Sequence, residues 1–182
     1  AQIMKDGKYY DIVEKALYNT VLAGIAMDGK SFFYVNPLEV WPENCIPRTS
    51  KEHVKPVRQS WFGVACCPPN IARTLASLGE YIYFADKDSI WINLFISSKV
   101  RTIIHDQKVE MEMSTRFPYD GQITLSVKSH AAVRGMIYIR IPEYVKEYTL
   151  HKDGILMESK VVEKGYCVLD TEFTNTVITL SF

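Results

Sequence analysis

The sequence predicts an α+β protein, with helices over residues 1–80 followed by an antiparallel β-sandwich over residues 81–182. Three observations predict it. Apolar residues recur at helical spacing before Gly79, and they alternate with polar ones after Glu80. Short turn signals cut the alternating half into strand-length pieces. A double proline, Pro68-Pro69, opens a last helix just before the period changes, since a proline at the first helical position gives up an N–H that would have no partner there.

At the N-terminal end, Ala1-Gln2-Ile3-Met4-Lys5 reads as the last turn of a helix stopped by Asp6-Gly7, without the form of a signal peptide. From Lys8 to Met27 the pattern is helical, and Ile12, Val13, Ala16, Leu17 and Val21 make its apolar stripe. Asp28-Gly29 gives a turn, and Ser31 to Val35 reads as a short aromatic strand. Asn36 to Gln59 is a long irregular stretch broken by Pro37, Pro42, Pro47 and Pro56. Loops of that length are functional or disordered, and this one joins the aromatic strand to the cysteines, so a functional loop is expected.

The stretch Trp61-Phe62-Gly63-Val64-Ala65-Cys66-Cys67-Pro68-Pro69 carries the chemistry. Ile71, Ala72, Leu75, Ala76 and Leu78 follow at helical spacing, which sets both cysteines at or just before a helix N-terminus. The positive end of the helix dipole favours an anion there, and a thiolate is both nucleophile and metal ligand. Two plainer readings stand beside this one. A buried cysteine packs as a small hydrophobe, and adjacent cysteines form a disulfide only with strain.

Beyond Glu80 the strands follow in order. Val109, Met111 and Met113 alternate with glutamates, and Ile123, Leu125 and Val127 alternate with Thr124, Ser126 and Lys128. Ile137, Ile139 and Ile141 do the same around Tyr138 and Arg140. Such alternation belongs to sheets with one buried and one wet face, which places Tyr138 and Arg140 on the wet side. Asp86-Lys87-Asp88, Tyr119-Asp120-Gly121, Asp153-Gly154 and Lys164-Gly165 supply the turns. Ile178, Leu180 and Phe182 still alternate at the last residue. With both ends falling inside elements, the chain is expected to be a segment of a longer protein.

Composition narrows the classes. Hydrophobic residues at 47% and charged ones at 23% describe an ordinary globular chain. Twenty-one basic residues balance 21 acidic ones, so no net field recommends nucleic acid or an anionic membrane as partner. No apolar run approaches a membrane span. Four cysteines, two of them adjacent, do not make a disulfide framework. The compartment stays open.

Arg58-x-x-Trp61 running into Cys66-Cys67-Pro68-Pro69-Asn70-Ile71-Ala72-Arg73 resembles the signature of the bacterial β-L-arabinofuranosidase family of glycoside hydrolases, formerly a domain of unknown function. Glu14-Lys15-Ala16-Leu17-Tyr18-Asn19 and Phe32-Phe33-Tyr34-Val35-Asn36-Pro37-Leu38 fit the same family upstream, and Ala76-Ser77-Leu78-Gly79-Glu80-Tyr81-Ile82-Tyr83 continues it. The likeness covers residues 6–98 and persists as strand pattern to the end. It implies the closing helices of an α/α barrel followed by a β-sandwich. It also implies a retaining glycosidase with a zinc-bound cysteine thiolate as nucleophile and a glutamate as acid/base.

Matched motif to motif, the resemblance makes Cys66 the nucleophile and a zinc ligand, Cys67 a further zinc ligand, and Tyr34 a residue that contacts the sugar. The acid/base glutamate and the remaining glutamate and cysteine ligands would lie upstream of Ala1. The chain alone is therefore expected to be inactive and to hold zinc weakly or not at all, because two sulfurs do not close a tetrahedral site. Cys45 and His53 lie in the preceding loop as substitute ligands in principle, though their spacing resembles no zinc motif, and His105, His130 and His151 offer no ligand pairing. Arg58, Trp61 and Arg73 are expected to support the Cys-Cys loop. Glu14 faces either solvent or the barrel interior, and Cys167 is a buried strand residue. The implied partner is an arabinofuranoside or related carbohydrate, with self-association through open helix faces. The competing reading is a non-catalytic β-sandwich module for carbohydrate binding or interdomain contact.

Overall fold

The computed structural model describes residues 2–36, 39–49, 52–64, 66, 68–158 and 161–182. Its helices are α1 (Lys8–Lys15), α2 (Pro68–Ala76) and the short α3 (Gly79–Ile82). Eleven strands follow: β1 (Tyr83–Ala85), β2 (Ser89–Ile92), β3 (Ser98–Ile104), β4 (Gln107–Thr115), β5 (Gln122–Ser129), β6 (Arg134–Arg140), β7 (Thr149–Lys152), β8 (Ile155–Leu156), β9 (Val161–Glu163), β10 (Tyr166–Glu172) and β11 (Asn175–Ser181). The chain forms two compact units, one of residues up to Asp11 together with Gly79–Phe182, the other Ile12–Leu78.

In the strand unit, β1-β2-β6-β10-β9 form one sheet and β3-β4-β5-β11-β7-β8 the other. Their buried positions are the alternating residues of the sequence: Val109, Met111 and Met113 on β4, Ile123, Leu125 and Val127 on β5, Ile137 and Ile139 on β6. Cys167 is buried on β10, as expected. At Asp153-Gly154 and Lys164-Gly165 both residues have positive φ, the two-residue hairpin whose twist matches that of the strands. His105-Asp106, between β3 and β4, has the same geometry and was not among the sequence turn signals.

Two expectations for this unit are corrected. The sheets are antiparallel except where β2 runs parallel to β6, with Trp91 opposite Tyr138. That register, with Phe84 opposite Trp91 on β1, stacks three rings side by side at 4.5 Å between successive centroids. Arg140, expected on the wet face, is fully buried. The reason is that residues 2–11 cover this sheet. The Lys5 ammonium lies 4.3 Å from the Trp91 ring centroid, Gly7 N–H donates to Lys164 O at 2.8 Å, and the Arg140 guanidinium meets Asp11 Oδ1 at 2.5 Å. The predicted helical turn at residues 2–5 is an irregular run of turns instead.

Gly135 on β6 marks the tightest approach in this unit. A Cβ there would lie 2.6 Å from Asp88 O and 2.9 Å from the Phe173 ring. The carbonyl oxygen cannot withdraw without breaking its bond to Met136 N–H at 2.9 Å. Gly135→Ala is expected to cost about 1–3 kcal/mol of stability, the usual penalty for overpacking. A urea midpoint equal to that of the unsubstituted protein would contradict it.

The helical unit departs further from its sequence pattern. The helix begins at Lys8 as expected, but at Ala16–Val21 it widens into a π-helix. The apolar stripe is only partly covered: Leu17 is buried, Ile12 is 67% exposed, and Glu14 is buried among them. The expected strand at Ser31 to Val35 reduces to isolated bridges of Phe32 with Ile25 and Gln59. Helix α2 opens at Pro68 as the double proline requires, yet none of its side chains is buried. Among the described residues, no helix is long and apolar enough to cross a membrane.

Candidate active site

The site is assembled within Ile12–Leu78 by three segments: the helix exit, the Phe32–Asn36 segment, and the approach to α2. Past the π-helix the chain leaves the helix through Gly24 and Ile25, whose N–H groups donate to Val21 O and Leu22 O. It turns at Asp28-Gly29, where Gly29 has φ +69. The return segment is then fastened to the exit. Phe33 N–H donates to Gly24 O at 2.8 Å, and Ser31 O accepts from Ala26 N–H at 2.8 Å. Asn36 Nδ2 donates to Thr20 O at 2.8 Å. Gly24 leaves little room at this crossing: a Cβ there would stand 3.3 Å from Val21 O, a tight contact, and 3.5 Å from the Ile71 side chain, an ordinary one.

On its other side, the segment pairs with the approach to α2. Phe32 and Gln59 exchange both backbone hydrogen bonds, at 2.9 and 3.0 Å. The Phe62 ring packs 5.5 Å from Phe32 and 5.4 Å from Tyr34, centroid to centroid. Cys66, exposed, follows two residues before the first residue of α2. Its sulfur and the Tyr34 hydroxyl are hydrogen-bonded partners. Two residues 32 positions apart, singled out separately in the sequence, thus meet side chain to side chain.

The other expected site residues fall as follows. Cys67 lies outside the described residues. Cys45 is buried, with its thiol on Trp41 O at 3.3 Å, and His53 is exposed. Among the described residues no three His, Cys, Asp or Glu side chains cluster closely enough to hold a metal. A cysteine sulfur is the right kind of donor for zinc, but the described donors are too few to close a site.

Of the expected supports, the described contacts are these. Trp61 is 68% exposed. Arg73 binds Asn70 of its own helix. Arg58 serves the Tyr34 segment: its guanidinium donates to Ala23 O at 2.5 Å and lies 4.6 Å from the Phe33 ring centroid. Asn36 is a contributor that the sequence reading did not single out, while Phe62 belongs to the stretch it placed at the centre of the site. Asn36 does not belong to a residue type that marks chemistry, whereas the Phe32–Phe33–Tyr34 run and the Trp61-Phe62 pair both hinted that a ring cluster was being built.

With this geometry in hand, comparison with known proteins is decisive. Residues 1–80 match the model of the β-L-arabinofuranosidase GH127 catalytic domain, and residues 89–182 match that of the GH127 middle domain. The chain belongs to the GH127 family. The non-reducing end β-L-arabinofuranosidase of Bifidobacterium longum subsp. longum is 37% identical over 155 residues, which is 81% of this chain and 23% of that protein. The crystal structure of a GH127 β-L-arabinofuranosidase from Geobacillus stearothermophilus T6 superposes with a TM-score of 0.86 at 40% identity, covering 99% of this chain and 28% of that one. A second GH127 β-arabinofuranosidase structure gives 0.81 at 29% identity, covering 97% of this chain and 28% of its own. The GH127 chain described here therefore spans about a quarter of the length of these relatives.

Proposed function

We propose that this chain is part of a retaining β-L-arabinofuranosidase whose nucleophile is the Cys66 thiolate. The observation that carries the reading is the Tyr34 hydroxyl on the Cys66 sulfur, in a chain of this family. A thiolate attacks the anomeric carbon of the sugar, forming a C–S bond as the glycosidic C–O bond breaks. The departing oxygen takes a proton from a general acid supplied by a part of the protein outside this chain. Water then attacks the same carbon, the C–S bond breaks, and two inversions leave the anomeric configuration retained. Tyr34, beside the sulfur, is placed to hydrogen-bond a sugar hydroxyl during both steps.

Zinc belongs to the same proposal. Cys66 and Cys67 would hold it together with ligands from outside this chain, and its chemistry there is to keep thiols deprotonated near neutral pH. The α/α barrel is also part of it: Ile12, Leu22, Met27 and Leu75 are exposed in Ile12–Leu78 and would be covered by the remaining barrel helices. In their absence, those faces drive self-association of the isolated chain.

The test is hydrolysis of an aryl β-L-arabinofuranoside by the full-length protein, followed by proton NMR of the first sugar released. The expected product is L-arabinose in the β-furanose form. Cleavage only of other glycosides, or release of the α-anomer first, would overturn the reading. Elemental analysis should find about one zinc per full-length protein and none retained by the 182-residue chain after mild chelation.

A further inference from the structure

Two side chains near the Tyr34–Cys66 contact reach back to backbone carbonyls of the preceding helix and its exit. A π-helical turn marks a functional element more often than chance, and here Ala16–Val21 delivers the chain to an exit whose carbonyls are bound from outside the helix. Thr20 O takes the Asn36 amide at 2.8 Å, and Ala23 O takes the Arg58 guanidinium at 2.5 Å. Both donors bear on the same short segment. Asn36 lies two residues beyond Tyr34, and the Arg58 guanidinium lies against the ring of Phe33, one residue before it. Phe33 N–H on Gly24 O and the paired bonds of Phe32 with Gln59 close the bracket. Tyr34 is thereby held on both sides by backbone and side-chain contacts, with its hydroxyl on Cys66.

We infer that Arg58 and Asn36 are positioning residues that set the Tyr34 hydroxyl on the Cys66 sulfur, a role that rests on Cys66 being the nucleophile proposed above. Arginine suits the place because a planar guanidinium donates along its edge while its face stacks on a ring, which an ammonium cannot do. A nucleophile or its partner displaced by about 1 Å loses up to about a hundredfold in rate. The loss falls on the chemical step, so kcat carries it and KM does not.

The experiment is a set of variants of the full-length protein, assayed on an aryl β-L-arabinofuranoside at equal folded fraction by near-ultraviolet circular dichroism. Arg58→Ala is expected to lower kcat about thirtyfold with KM moved less than about twofold, and Asn36→Ala about tenfold. Arg58→Lys, which keeps a donor for Ala23 O but loses the stack on Phe33, recovers only part of the loss. In a Tyr34→Phe background, Arg58→Ala costs less than about a further twofold, because both changes break the same contact. An equal thirtyfold drop in that background, or a rise in KM with kcat intact, overturns the inference. Iodoacetamide labelling of Cys66, located by fragment-ion mass spectrometry, is the readout independent of turnover. Arg58→Ala and Tyr34→Phe should change its rate by the same factor, and the double variant by no more. Unequal factors overturn the positioning role. Failure of the unsubstituted protein to cleave any arabinofuranoside overturns the functional reading, and the labelling series then decides the positioning role by itself.

Discussion

Replacing Cys66 by serine is expected to lower kcat of the full-length protein by at least about a thousandfold on an aryl β-L-arabinofuranoside. Serine is close to cysteine in shape, so the substitution removes the thiolate, and with it one sulfur of the proposed zinc site, at little cost in packing. An alcohol at the same place is far less ionised near neutral pH and a weaker nucleophile toward an anomeric carbon. Because Cys66 is exposed, its side chain contributes little burial, and the 182-residue chain, which is expected to retain no zinc, should keep its unfolding free energy within about 0.5 kcal/mol on this substitution. Stability and activity are thus separated in one variant. Tyr34→Phe removes only the hydroxyl on the sulfur and should cost less, about ten- to hundredfold, since the nucleophile itself remains. Rapid quenching of the unsubstituted enzyme should trap a pentosyl adduct on the peptide holding Cys66. A serine variant that keeps more than about a tenth of the activity would remove Cys66 from the nucleophile's role.

What the sequence made legible, and what it hid, follows from how local the cause is. The strands of the second sheet were readable because Val109–Met113 and Ile123–Val127 each have one buried and one wet face, the condition under which alternation reports burial. The start of α2 was readable because proline acts on its own backbone. Arg140 was misplaced for the opposite reason. Its partner Asp11 lies 129 residues away, and nothing near Arg140 reports that a distant segment covers its side of the sheet. The parallel pairing of β2 with β6 was hidden likewise, since Ser89–Ile92 is buried throughout and a continuous apolar run carries no direction. Glu14 and Ile12 exchange the burial their types predict. In the site, helix-dipole and proline arguments reached Cys66 as a candidate thiol, family resemblance alone raised Tyr34, as a residue that contacts the sugar, and their meeting is visible only in the structure. The brackets at Arg58 and Asn36 depend on carbonyls of a π-helical exit, and apolar periodicity does not distinguish a π turn from an α turn.

Replacing Arg140 by methionine is expected to destabilise the strand unit by about 3–5 kcal/mol, the usual cost of removing one member of a buried ion pair. Arg140 is the largest fully buried side chain among the described residues. It donates to Asn93 O at 2.6 Å through Nε and to Asp11 Oδ1 at 2.5 Å through Nη1, with the Phe95 ring centroid 5.7 Å from its Cζ. Asn93 in turn accepts the Tyr166 hydroxyl at 2.7 Å, and burial pushes that phenol well above the usual tyrosine range. Methionine fills much of the volume but supplies no donor. It leaves the Asp11 carboxylate, which also accepts Glu143 N–H at 3.3 Å, without its guanidinium. An uncompensated carboxylate in a nearly closed site is the dominant loss, larger than the change in packing. The double variant Arg140→Met with Asp11→Leu separates the two. If the charge left behind is the cause, removing it should restore most of the urea midpoint, as replacing both members of a buried pair by apolar groups often does. If packing around Phe95 is the cause, the double variant should be no more stable than Arg140→Met alone. The same measurement tests whether residues up to Asp11 are held to the strands chiefly through this pair. In that case amide exchange at Lys8–Asp11 should quicken in Arg140→Met, while exchange on β4 and β5 changes only with global unfolding.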